Sequence, residues 1–221
     1  MPQAVIKKED IEGVPTRARH SISKRRAIMA AAADLFLADG YGQVSMDRIA
    51  QTAGVSKQTV YSHFQSKEAL FEALVTVRCD EMLGMVPEPV DRTRKVEDIL
   101  HQLGRNFLRL VLSEDALALY RTVVAEAARF PELGTAFYNA GPKRSHARLA
   151  SWLAKETREG RLRVDDPQMA AEQFFGMIKG DVYAKSLLGA VTMVDSIDID
   201  RAVDSAVRVF LKAYGTGEGA E

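Results

Sequence analysis

The stretch from Val44 to Phe71 reads V-S-M-D-R-I-A-Q-T-A-G-V-S-K-Q-T-V-Y-S-H-F-Q-S-K-E-A-L-F, and its punctuation decides the fold. Ser45 stands where an N-cap belongs, ahead of a helix carrying Met46, Ile49, Ala50 and Ala53. Gly54 ends that helix, because glycine takes the left-handed cap conformation without a Cβ penalty. Ser56 caps a second helix, Lys57 to Phe64. Ser66 caps a third, which opens on Lys67-Glu68 and continues through Leu70, Phe71, Leu74 and Val75. Helix, tight glycine turn and helix make the helix-turn-helix plan, whose second helix enters a major groove. Val60 and Phe64 share one face of that second helix. Ser56, Lys57, Gln58, Thr59, Tyr61, Ser62 and His63 are left for the exposed surface, where each can hydrogen-bond to a phosphate or a base edge.

Residue type assigns roles within this set. Lys57, Gln58 and Thr59 lie at the start of the second helix, the end that enters the groove. Gln58 can bond an adenine through both ends of its amide, and Lys57 can donate to guanine or phosphate. Thr59 can touch a thymine methyl. Tyr61 and His63 are long enough to reach the sugar-phosphate flanks. Lys67 sits at a helix N-terminus, whose free N–H groups add to its attraction for phosphate.

From Gly40 to Phe71 the chain resembles the DNA-binding signature of the TetR family of bacterial regulators. The family pattern I-A-x-x-A-G-V-S-x-x-T-V/L-Y-x-H-F, then x-S-K-E-x-L, is matched from Ile49 to Phe64 and from Gln65 to Leu70. The commonest family residue at position 58 is glycine. Gln58 adds base-reading capacity there, which points to an altered operator preference rather than lost binding. The resemblance implies phosphate contacts at Ser45, Tyr61 and Lys67. It also implies a small three-helix DNA-binding domain followed by a larger helical domain that binds a ligand and dimerises. Tyr120-Arg121, Ala125-Glu126, Phe130-Pro131-Glu132-Leu133 and Trp152-Leu153 are similar to one subgroup of the family's C-terminal domains.

Bulk composition is neutral on nucleic acid, since 30 basic residues balance 30 acidic ones over the 221. The distribution says more. Residues 1–64 hold nine Lys/Arg against six Asp/Glu. Between Pro15 and Ile28 stand Arg17, Arg19, Lys24, Arg25 and Arg26 with no acid. Such a run beside a helix-turn-helix can lie along phosphates or reach a minor groove; as a solvated tail it would do neither. Cys79 is the single cysteine, so no intramolecular disulfide forms, and its place in a helical stretch predicts a packed thiol. The longest apolar run, Ala27 to Ala33, is far short of the ~20 residues of a membrane span. The N-terminus lacks a signal-peptide core. A cytoplasmic protein with no membrane partner is expected.

Helical spacing covers the rest of the chain. It predicts helices over Ser23–Asp39, from Lys67 to about Gly84, over Thr93–Leu112 and over Asp115–Phe130. A short helix follows from Pro131 to Gly141. Further helices span Pro142–Glu159, Pro167–Leu188 and Asp198–Tyr214. Asp165-Asp166 before Pro167 reads as a helix start, where carboxylates complement the positive end. The Pro87-x-Pro89 segment marks a break. The expected class is all-α, with no sheet. The expected organisation is a flexible basic arm over 1–21, a helix-turn-helix domain over 22–68, a ligand-binding and dimerisation domain over 69–214, and a flexible tail over 215–221.

Enzymatic readings find no support. His20, His63, His101 and His146 are dispersed, no metal-ligand spacing or phosphate loop occurs, and no catalytic residue or cofactor is expected. Phe107, Tyr120, Phe137, Tyr138, Trp152, Phe174, Met177 and Tyr183 are spread over several helices and are the candidates for an effector pocket, as against ordinary core. Gly176 and Gly180, four apart in one helix, either admit a neighbouring helix or leave room for a ligand. The last two long helices are apolar on more than one face, which predicts a homodimer interface with Phe210 in it. The expected function is a homodimeric regulator, a repressor, that binds a near-palindromic site in double-stranded DNA and is released by a small apolar or amphipathic effector. The alternatives are a repressor without a small-molecule ligand, and a helical enzyme or carrier whose N-terminal unit binds a protein partner.

Overall fold

Three serines begin three helices, each by accepting a hydrogen bond from an N–H that the first turn leaves unpaired. Ser45 Oγ accepts from Arg48 N at 3.2 Å, Ser56 Oγ from Thr59 N at 3.1 Å, and Ser66 Oγ from Ala69 N at 3.1 Å. They start α2 (Met46–Thr52), α3 (Lys57–His63) and α4 (Lys67–Leu83). Before them runs α1 (Thr16–Asp39). After them come α5 (Val96–Val111), α6 (Glu114–Glu126), α7 (Pro131–Ala140), α8 (Pro142–Arg158), α9 (Pro167–Leu187) and α10 (Ser196–Tyr214). The computed structural model describes residues 16–83, 93–191 and 193–216. Among these there is no strand, and one isolated bridge pairs Leu162 with Gly215. The expectations for residues 1–15, for the Pro87-x-Pro89 break, for residues 217–221 and for the packing of the Cys79 thiol fall outside what is described.

The helices divide into two compact units. The first contains α1 to α4 as far as Arg78, joined by Ala118–Gly141. Its core is Ile28, Ala32, Leu35 and Phe36 of α1, Ile49 and Ala50 of α2, Val60 and Phe64 at the recognition helix, and Leu70, Phe71 and Val75 of α4. α1 begins seven residues before the expected Ser23, so the basic run from Arg17 to Arg26 rides on a helix. Gly54, with φ +65°, makes the turn between α2 and α3.

The second unit comprises Cys79–Leu117 and the chain from Pro142 onward. α9 is its centre and packs on α5, α8 and α10. Asp166 caps α9 by accepting from Met169 N at 3.0 Å, with Pro167 in the first turn where a missing N–H costs nothing. The α9–α10 core stacks Phe174 on Phe175 and on Phe210, and Phe210 on Tyr214. Phe210 is fully buried. It therefore belongs to the subunit's own core, not to the intersubunit surface expected from the helix pattern. Apolar spacing alone does not tell which of two faces a neighbouring helix covers. Arg163 N donates to Tyr214 O at 2.7 Å, so the end of α10 and Gly215 are tied to the loop after α8.

Two glycines shape this unit. A Cβ on Gly104 would stand 2.9 Å from Val203 Cγ1 and 3.0 Å from Ile178 Cδ1, both on fully buried residues. Gly104 is therefore what lets α5 lie against α9 and α10. Gly180 breaks α9 with φ 42° and ψ −149°, while a Cβ there, or on Gly176, would meet nothing within 4 Å. Neither glycine admits a close helix within the unit; at Gly180 the dihedral is the requirement.

Gly104→Ala gains about 1 kcal/mol of helix propensity and meets an overpacking cost of about 1–3 kcal/mol. We expect a net loss of stability, read as a lower urea midpoint at unchanged slope. A midpoint equal to or above wild type would show that the three helices can separate without strain.

Candidate nucleic-acid interface

The recognition helix α3 is held by its own sequence. Val60 is fully buried and Phe64 nearly so, and these two anchors turn the remaining residues outward. Lys57 and Gln58 are exposed, Thr59 is half-buried, Tyr61 is 43 % exposed and His63 is half-buried. The expected DNA-facing residues of α3 therefore lie on one open surface. Ser45 is exposed at the start of α2 while it caps that helix. The Arg25 guanidinium stacks 4.4 Å above the Phe64 ring, which fastens α1 to the end of α3.

Several of these groups are already engaged. Lys57 Nζ pairs with both carboxylate oxygens of Asp47 at 2.9 Å, and the hydrogen bond to Asp47 holds its pKa above the usual lysine value. Arg48 pairs with Asp39 at 2.9 Å. The Thr59 hydroxyl lies 2.8 Å from Ser56 Oγ, which leaves its methyl for a base. The pairing of Lys57 with Asp47 has no signature in the sequence. A ten-residue separation across a turn carries no helix-spacing signal.

Lys67 is placed differently from an open phosphate ligand. Its ammonium donates to the carbonyls of Tyr41 at 2.9 Å and Val44 at 3.0 Å and sits 4.1 Å over the Tyr41 ring. Burial pulls its pKa down, against the pull of Glu68, Glu126 and Glu132. Two of three donors are spent, and one remains. The loop it grips is also held from other sides. The Tyr41 hydroxyl donates to Glu68 Oε1 at 3.0 Å, and Gly42 N donates to Glu126 Oε2 at 2.7 Å. Burial and then Glu68 push the Tyr41 pKa far up, so the phenol stays protonated. The Ser66 hydroxyl first, and Tyr41 after it, keep Glu68 below the usual carboxylate range. Tyr41 and Glu126 are sequence-silent here, because only the fold makes them neighbours.

The aromatic candidates for an effector pocket fall in two sets. In the first unit Tyr120 and Phe137 meet edge to face at 5.7 Å, and Tyr138 is 53 % exposed. In the second, Trp152 and Phe174 are buried core, Phe107 is nearly buried against Phe175 at 4.5 Å, and Met177 and Tyr183 are half-buried. A groove of about 510 Å³ along α5 is lined by Arg94, Asp98, His101, Gln102, Arg105, Asn106 and Arg109, and by none of these candidates. Among the described residues no group of His, Cys, Asp and Glu is arranged to hold a metal ion, and no described helix is long and apolar enough to cross a membrane.

Comparison with known proteins agrees with this geometry. Residues 28–74 match the family model of bacterial regulatory proteins of the tetR family. Residues 98–216 match the C-terminal domain of AefR-like transcriptional repressors. A crystal structure of a protein described as a TetR-family transcriptional regulator from Mesorhizobium loti is 34% identical, with a TM-score of 0.74, and the match covers 89% of this chain and 98% of that one. The flavonoid-responsive regulator FrrA is 33% identical with a TM-score of 0.73, over 88% of this chain and 98% of that one. The transcriptional regulator UidR of Escherichia coli is 26% identical over 151 residues, 67% of each chain. With a capped, outward-facing recognition helix in place and both family models matched, this all-α chain is a member of the TetR family of DNA-binding transcriptional regulators and not an enzyme.

Proposed function

We propose that the chain acts in the cytoplasm as a homodimeric repressor that binds a near-palindromic operator and is released by a small aromatic effector. The observation that carries the DNA reading is α3. Val60 and Phe64 anchor it, and Lys57, Gln58, Thr59, Tyr61 and His63 stand on its open side. Gln58 reads bases, Ser45 and Tyr61 bond phosphates, and Lys67 offers its one remaining N–H from a fixed position. Repression is drawn from the C-terminal match to AefR-like transcriptional repressors. An aromatic effector is drawn from the one-third identity to a flavonoid-responsive regulator.

Support for the dimer comes from apolar side chains left in water on α9, α10 and the segment between them. Met169 is 48 % exposed, Leu188 82 %, Ile197 73 % and Val209 49 %. Exposed apolar groups mark an interaction surface where they form a contiguous patch, which pairing of these two helices with their copies would cover. A two-fold pair would set the recognition helices roughly 34–36 Å apart, one turn of DNA. Effector and operator then favour different conformations, and each weakens the other's binding by the same factor, about 5- to 150-fold for typical coupling.

Selection of bound fragments from random duplex DNA tests the reading. A two-fold symmetric consensus, bound less tightly as salt rises, is the expected outcome. On that consensus Gln58→Ala should reorder operator variants by about 1–3 kcal/mol, and an unchanged ranking would remove Gln58 from base readout. Asp47→Ala frees Lys57 from an exposed, salt-screened pair. Affinity for all duplexes should rise up to a few-fold with a steeper salt dependence; a fall in affinity would mean that Asp47 orients Lys57 rather than masking it. Val209→Glu should shift sedimentation at micromolar concentration from dimer toward monomer, and a variant that remains dimeric would place the interface elsewhere.

A further inference from the structure

Two side chains of α9 flank its break. Lys179 precedes Gly180, and Tyr183 follows one turn on. The Lys179 ammonium lies 5.4 Å from the centre of the Tyr183 ring and 5.9 Å from that of Phe107. Phe107 stacks on Phe175 at 4.5 Å, and His146 of α8 lies against Phe175 at 5.6 Å. All five belong to the second unit. Lys179, His146 and Tyr183 are half-buried, while Phe107 and Phe175 are close to fully buried. The group is a cluster of tilted rings with a lysine and a histidine among them.

These two polar groups have no hydrogen-bond or ion-pair counterpart among the described residues. Among the described residues no carboxylate pairs with Lys179, and burial alone moves its pKa, downward. His146 Nδ1 is buried and has no hydrogen-bond partner. Burial lowers the His146 pKa, with Glu172 opposing and Lys179 adding to the drop. Buried polar groups in folded proteins are almost always paired, and a partly desolvated cation is unfavourable until it meets a negative charge. The same unit shows the ordinary solution. Glu156, fully buried, faces Arg161 at 2.6 Å, and Arg105 meets Asp200 at 2.6 Å. Ring faces offset part of the cost at Lys179 through their negative quadrupole. They supply no hydrogen-bond acceptor in the plane of a carboxylate.

We infer that Lys179 and His146 form the polar end, and Phe107, Phe175 and Tyr183 the wall, of a site for an aromatic anion, a planar ring bearing a carboxylate or an ionised phenol. The anion oxygen takes the proton donors of Lys179 and His146, and the ring lies against the aromatic side chains. A charge-assisted bond inside a partly desolvated site is strong, so charge on the ligand is what the site selects. This deepens the reading of the chain as an effector-controlled regulator, and rests on it for the consequence at DNA. Gly180, between Lys179 and Tyr183, holds a positive φ that a residue with a Cβ rarely adopts.

Titration calorimetry of the full-length chain tests the site with three probes: 2-naphthoate, 4-nitrophenolate above its pKa, and the uncharged 2-naphthamide. At least one anion should bind about tenfold or more tightly than the amide. The better of the two tells carboxylate from phenolate. Lys179→Met should erase the preference and, by removing an unpaired cation, leave the melting temperature equal or higher. Lys179→Arg should keep it. His146→Phe, an independent variant, should weaken both anions several-fold. Equal binding of anion and amide by the wild-type chain, or a preference that survives Lys179→Met, overturns the site, as does the absence of anion binding up to millimolar concentration. The selected operator, titrated into the same preparations, separates this from the regulatory reading. Operator binding without anion preference removes the site and leaves the regulator. Anion preference that does not change operator affinity keeps the site and removes release by that class of ligand.

Discussion

The loop from Tyr41 to Val44 is the constraint on which the DNA-binding unit depends. It joins α1 to α2, and its buried polar groups have no secondary structure to satisfy them. Lys67 donates to its carbonyls from α4, Glu126 accepts from its Gly42 N–H, and Glu68 accepts from the buried phenol of Tyr41. An unsatisfied buried group costs about 1–3 kcal/mol, so three or four together compare with the whole stability of a small domain. Around this polar knot Phe36, Phe71 and Phe130 pack on the Tyr41 ring at 5.3 to 5.8 Å. Ser45, the cap of α2, follows directly. The position of the helix-turn-helix is thus set by contacts made outside it, from α4 and from the α6–α7 segment of the same unit.

Charges on the recognition surface obey a different rule from those beneath it. Lys57 and Arg48 pair with Asp47 and Asp39 in water, where such pairs are weak and screened by salt. Such pairs open at small cost. Lys67 is held by two carbonyls in a half-buried site and does not exchange partners so readily. One surface therefore combines a lysine free to change partner with another that keeps its own. The chain's net charge of zero conceals this, because association with DNA depends on local charge and on which pairs can open.

The second unit also divides into a packed centre and a more polar region. Its apolar centre, with Phe174, Phe175, Ile178, Val203 and Phe210 fully or nearly fully buried, supplies the driving force for folding. Where α9 departs from helix at Gly180 the packing gives way to Lys179, His146 and Tyr183, which carry polar groups near rings. A glycine within a helix costs about 1 kcal/mol relative to alanine. The rest of α9, packed on three helices, bears that cost.

Features governed by near neighbours in sequence were legible from the sequence alone. Ser45, Ser56, Ser66 and Asp166 cap helices because a side-chain oxygen reaches an N–H three residues on. Val60 and Phe64 turn inward, and Lys57, Gln58 and Tyr61 outward, because 3.6-residue periodicity alone divides the faces. The all-helical class follows from the same periodicity. What only the tertiary structure decided involves partners distant in sequence. These include the burial of Phe210 in its own subunit, the grip of Lys67 on Tyr41 and Val44, the bond from Gly42 to Glu126, the gathering of α6 and α7 with the N-terminal helices, and the meeting of Lys179 with Phe107. Local spacing fixes which side of a helix is apolar and leaves open which neighbour covers it, because that choice depends on packing between segments tens of residues apart.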